Sequence, residues 1–109
     1  MIREYRINET ILNSNTRKCG KEYVLAVCRE EPAELIQAIS KMVRQDYMGY
    51  TKEERLDAED NLVEEMADTI ICIENLLRIY NINWTTVQRE IGRKQEIQMM
   101  RIRGELNHV

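Results

Sequence analysis

Two pairs of carboxylates with the same spacing constrain this chain more than any other feature. Glu31 and Glu34 form the first pair, and Glu65 and Asp68 the second. On a helix, residues three apart project from one face about a turn from each other. Two such helices packed side by side would gather four carboxylates into one small volume, where like charges raise one another's pKa values. A hard divalent cation removes that conflict, and Mg²⁺ takes carboxylate oxygens together with substrate phosphates. A single acidic pair is most often a solvated helix face. Here both pairs flank an apolar stripe and share a small-residue context, Glu31-Pro32-Ala33-Glu34-Leu35 and Glu65-Met66-Ala67-Asp68-Thr69. The duplicated pair therefore predicts half of a metal site, with a phosphorylated ligand as the other half.

The surrounding periodicity is helical. From Lys21 to Gln45, Leu25, Cys28, Pro32, Leu35, Ile39 and Met42 recur at three and four residues and predict the core stripe, with Glu31, Glu34, Ala38 and Lys41 beside it. Pro32 lacks a backbone donor and clashes with the preceding turn, so a kink or a fresh helix start is expected there. Asp46 to Tyr50, with Gly49, reads as a turn, and Thr51-Lys52-Glu53-Glu54 as a capping box opening the next helix. A break is expected near Asp57 to Asn61, which is almost wholly polar. Beyond it, Leu62, Met66, Thr69, Ile73, Leu76 and Tyr80 predict a second core stripe, with Asn61, Glu65, Asp68 and Cys72 adjacent. Asn81-Ile82-Asn83 stops that helix and caps another, about Trp84 to Arg103. One face of the last helix runs from Trp84, Val87 and Ile91 to Lys94, Gln98 and Arg101, from apolar to cationic. Residues 1–19 are hardest to read: Arg3 to Leu12 is expected as a short helix with Tyr5, Ile11 and Leu12 inward, ended by Asn13-Ser14-Asn15-Thr16. Gly104 to Val109, with His108, reads as a frayed tail.

Length and composition narrow the function classes. The 109 residues make one domain, 1–109, with a modest core. Sixteen Lys plus Arg against nineteen Asp plus Glu leave a net charge of −3, which gives no basic footprint for a nucleic acid polymer. No apolar run reaches a membrane span, and Met1-Ile2-Arg3-Glu4 lacks a signal-peptide core. Three cysteines without Cys-x-x-Cys spacing argue for reduced thiols and a cytoplasmic location, with Cys28 and Cys72 as small buried hydrophobes. One Pro, four Gly and no Phe describe an all-α protein.

Other chemistries fail on residue type. A single histidine cannot supply the two Glu-x-x-His motifs of a di-iron bundle. The zinc patterns, the phosphate-binding glycine loop and a Ser/His/Asp set are likewise missing from the sequence. Lys41 lies seven residues past Glu34, ~10 Å along the helix, a fitting distance for a cation at the far end of a polyphosphate. On spacing alone, an ordinary surface lysine is the favoured account of it.

Glu30-Glu31-x-Ala33-Glu34-Leu35-Ile36-Gln37-Ala38-Ile39-Ser40-Lys41 and Asn61-Leu62-x-Glu64-Glu65-x-Ala67-Asp68 together resemble the MazG-like family of all-α nucleoside triphosphate pyrophosphohydrolases. The likeness covers about residues 21–103. It differs from the family pattern at Pro32, in the long polar gap between the motifs, and at Ile97, where members often carry Arg. The resemblance implies a MazG-type four-helix bundle and metal ligands at Glu31, Glu34, Glu65 and Asp68, also the catalytic set. It implies phosphate and nucleotide contacts from Lys41, Asn61, Lys94 and Arg101. It further implies Mg²⁺ or Mn²⁺ as cofactor and cleavage of a nucleoside triphosphate between its α and β phosphates. Glu30 and Glu64 are candidates for a base or an outer contact. Two motif helices in so short a chain cannot both cover their apolar faces, so a homodimer, or a dimer of dimers, is expected to complete the core. The competing expectation is a non-catalytic helical module that binds a nucleotide or a protein and retains the acids.

Overall fold

Helix caps divide the chain. In this computed structural model, which describes residues 6–105, α1 spans Glu9–Cys19, α2 Lys21–Met48, α3 Lys52–Ile79 and α4 Trp84–Ile102. The described residues contain no strand, and the chain is all-α as expected.

α1 departs from the sequence reading. The Asn8 side chain accepts the Ile11 N–H at 3.1 Å, so the helix starts at Glu9, and it runs straight through Asn13–Thr16. That polar run stays helical because its side chains bond within the helix. The Thr16 hydroxyl donates to the Leu12 carbonyl at 3.1 Å, and Arg17 donates to Ser14 Oγ at 3.1 Å. Gly20, at φ 91°, ends it in a conformation that other residues avoid. The expected placement of Tyr5, and that of His108, fall outside the described residues.

α2 and α3 form a long antiparallel hairpin. Gly49 closes α2 in the left-handed conformation, and Thr51 with Glu54 forms the expected capping box. The Gln45 amide donates to the Glu54 carbonyl at 3.1 Å and Arg55 pairs with Asp46 at 2.7 Å, which ties the turn. No new helix begins at Pro32, which is exposed on an unbroken α2. Its missing N–H leaves the Cys28 carbonyl without the usual donor, at a cost of ~3 kcal/mol. Nor does α3 break near Asp57–Asn61. Asp57, Glu59 and Asp60 point to solvent, Arg55 pairs with Glu59 one turn on, and Ala58 is buried against α2.

The buried faces coincide with the apolar stripes only in part: Cys28 is buried, and Leu25, Leu35, Met42, Leu62 and Leu76 are half-buried. Along α2 the buried residues are Val24, Cys28, Ala38 and Gln45, and along α3 Ala58, Cys72 and Asn75. Val24, Cys28 and Cys72 form the core, with Leu76 and Ile79 packed against them. Pro32 and Ile39 of the expected α2 stripe are exposed, as are Met66, Ile73 and Tyr80 of the α3 stripe. The helices pack instead along the faces that carry Glu31 and Glu65. Small residues explain the choice: Ala38 and Ala58, each 1% exposed, let the two backbones approach closely.

The result is an open molecule. α1 rests against α2, while α4 makes little contact with the rest. Asn83 caps α4 by accepting the Thr85 N–H at 2.8 Å, and Asn81 makes the turn before it at φ 52°. The radius of gyration is 17.6 Å, against about 13 Å for a compact chain of 100 residues. Apolar side chains such as Ile36, Val43, Val63 and Met66 stand in solvent on the outer faces of the hairpin.

Candidate metal centre

The closely packed seam between α2 and α3 brings the acids together. Glu31 of α2 and Glu65 and Asp68 of α3 offer carboxylate oxygens that all lie within 4.8 Å of one another. Oxygens on opposite sides of an octahedral Mg²⁺ stand ~4.2 Å apart at its bond length of about 2.1 Å. A small side-chain movement would close the set around such an ion. Glu34, one turn along from Glu31 and exposed, lies beside this trio and adds its charge to both Glu31 and Glu65.

Electrostatics record the crowding. Burial, then the neighbouring charges of Glu34 and Asp68, push the Glu31 carboxyl up from 4.5 to about 7. Glu65 is raised for the same reasons, burial first and then Glu34 and Asp68. One oxygen of each, Glu31 Oε2 and Glu65 Oε2, is buried with no hydrogen-bond donor. A buried polar atom without a partner is costly and uncommon in a folded protein. All the donors in this set are hard oxygens, which suits Mg²⁺ or Mn²⁺ and not a thiophilic metal. Cys28 and Cys72 lie along the same seam, but burial pushes the Cys72 thiol up to about 12, so it remains a neutral, apolar filler.

A pH dependence follows. Between pH 4.5 and 7 the folded protein holds a proton on Glu31 that the unfolded chain has lost, so stability falls as pH rises through this window. In EDTA, the melting temperature should be lower at pH 8 than at pH 5, and Mg²⁺ should reduce or reverse that difference. Glu31→Gln should flatten the slope in EDTA. An unchanged slope in Glu31→Gln would place its origin elsewhere.

The expected cations are not gathered here. No hydrogen bond or ion pair among the described residues joins Lys41, Lys94 or Arg101 to the four acids. Lys41 is exposed on α2, and Lys94 lines a shallow hollow on α4 with Val87, Ile91 and Gln98. Those four share one face, as their spacing predicts. Arg101 Nε is buried without a partner. Asn61 is half-buried on α3, one turn before Glu65, and Glu30 and Glu64 are exposed. The sequence reading passed over Asn75, which is 7% exposed and lies two turns past Asp68. The signal was present, since Asp68, Cys72 and Asn75 follow at helical spacing on one face.

Comparison of the chain with family models, with curated proteins and with solved structures returned no match.

Proposed function

We propose that this chain is a metal-dependent nucleoside triphosphate pyrophosphohydrolase of MazG type, which releases a nucleoside monophosphate and pyrophosphate. The observation that carries this reading is the pair of donorless carboxylate oxygens buried within the acid cluster. Divalent metal bound there would neutralise phosphate charge and lower the pKa of an attacking water. Glu31, Glu65 and Asp68 hold the ion, and Glu34 lies ready as a fourth ligand. Lys41, two turns along the helix from Glu34, is suited to contact the outer phosphates.

The same reading makes the active unit a homodimer, with a dimer of dimers as the larger alternative. Its support is the apolar outer face of the hairpin and the loosely attached α4. A second copy would cover both and bring Lys94 and Arg101 toward an acid cluster they do not contact within one chain.

The test is a panel of ribo- and deoxyribonucleoside triphosphates with Mg²⁺ or Mn²⁺, scored for products. Monophosphate and pyrophosphate in equal amounts are expected, with no orthophosphate as first product. A second reading, a non-catalytic module that sequesters nucleotide, draws on the separation of the cations from the acids. Tight metal-dependent nucleotide binding without turnover would favour it.

A further inference from the structure

Cys28 of α2 and Cys72 of α3 meet across the seam, 44 residues apart in the chain and both buried. The Cys28 thiol donates to the Cys72 carbonyl at 3.7 Å, and the two thiols interact directly. A sulfur that already reaches its partner's main chain lies within range of a disulfide, whose Cα atoms stand ~4.4–6.8 Å apart. Each cysteine also borders an opening. Cys28 lines a hollow of about 480 Å³ with Leu25, Leu76 and Tyr80, and Cys72 a cavity of about 260 Å³ between α1, α2 and α3. Solutes the size of water therefore approach the pair from both sides of the seam. The third cysteine, Cys19, is exposed at the end of α1.

We propose that Cys28 and Cys72 form a reversible disulfide latch that clamps α2 to α3 beside the acids and strengthens metal binding there. The latch lies one turn from the acid cluster on both helices: Cys28 precedes Glu31 by three residues, and Cys72 follows Asp68 by four. Like charges on Glu31, Glu65 and Asp68 oppose the approach of the two helices when no cation lies between them. A covalent link one turn away counters that repulsion and holds the carboxylates in place, so less ordering accompanies binding of the ion. Hydrogen peroxide, little larger than water, is the oxidant. Both S–H bonds break and one S–S bond forms, so the thiols give up two electrons and two protons. The O–O bond of the peroxide breaks, and two waters leave. A dithiol reverses the latch by exchange. Burial slows the oxidation, since the thiolate is the nucleophile, but the equilibrium follows how closely the fold holds the sulfurs. Stability and metal affinity thus respond to the redox state of the surroundings. The latch goes beyond the pyrophosphohydrolase reading and needs from it only that the acids hold metal.

The experiment uses the full chain carrying Cys19→Ser, which removes the exposed thiol, treated to completion with hydrogen peroxide. Mass spectrometry should show the loss of two hydrogens, and peptide mapping a Cys28–Cys72 link. In EDTA the melting temperature should rise by about 10 °C or more, as closing a long loop requires, and dithiothreitol should return it. Mg²⁺ affinity by calorimetry should be about threefold or more tighter in the oxidised form. Cys28→Ala and Cys72→Ala should each abolish the link and both changes. If either variant fails to fold, the reduced and oxidised states of the Cys19→Ser protein still supply the comparison. Peroxide that leaves both thiols free, or a link that does not raise the melting temperature, would overturn the proposal. Equal Mg²⁺ affinity in the two states would do the same. No Mg²⁺ binding in either state, with the link and the thermal shift present, would uphold the clamp and reject the metal reading alone.

Discussion

Replacing Asp68 by Asn is expected to lower kcat for the preferred triphosphate by on the order of 10² or more, with the fold intact. Size and hydrogen bonding are preserved in this change, so only the ligand charge is lost. Asp68 is the residue to choose because it closes the trio from α3 while Glu65 remains one turn away. Glu34→Gln should have a smaller effect, since Glu34 lies beside the three and is exposed. The same Asp68→Asn change removes one like charge beside Glu31, whose carboxyl is held high partly by that neighbour. In EDTA the variant should therefore melt no lower than wild type, and Mg²⁺ should add less to it, by linkage. Unchanged turnover in Asp68→Asn would identify the acids as a solvated face.

Val24→Asp is expected to abolish cooperative folding, whereas Ile39→Glu should leave the helices intact and yield a monomer. Val24 is 3% exposed in a core whose other buried members, Cys28 and Cys72, are small, with Leu76 and Ile79 packed against them. An unpaired buried charge costs about 3 kcal/mol or more, and the acids in the same seam would repel it. Few other buried contacts exist to offset such a loss. Ile39 is on the opposite account: at 47% exposed it contributes little within one chain. If the outer apolar face is a subunit interface, a charge there should divide the oligomer. Circular dichroism and sedimentation at micromolar concentration separate the two effects. A wild-type chain that sediments as a stable monomer would remove the dimer from the proposal.

Helix type, caps and the spacing within each acidic pair were legible because they depend on residues near one another in the chain. The Thr51–Glu54 box and the Asn83 cap are local chemistry, and each stands where it was expected; Gly49 ends α2, but the helix runs on through Asp46, Tyr47 and Met48, into the expected turn. Local reading failed where side chains had more than one way to be satisfied. Asn13 to Thr16 resembles a helix stop, yet Thr16 and Ser14 find partners within the helix. Asp57 to Asn61 resembles a break, yet its charged residues point to water while Ala58 packs inward.

The sequence by itself determined an all-α chain with two acidic pairs, each on one face of its own helix. Which faces meet was decided only in the tertiary structure. Periodicity marked the broad apolar stripes as the core, because burial of large apolar side chains is the strongest local expectation. The helices met along Val24, Cys28, Glu31 and Ala38 on one side and Ala58, Glu65 and Cys72 on the other, and of these only Cys28 belongs to the expected stripes. Small side chains allow the closest backbone approach. That approach carries carboxylates from both helices into one volume and leaves several larger apolar residues, Ile36, Ile39, Val63 and Met66 among them, facing outward.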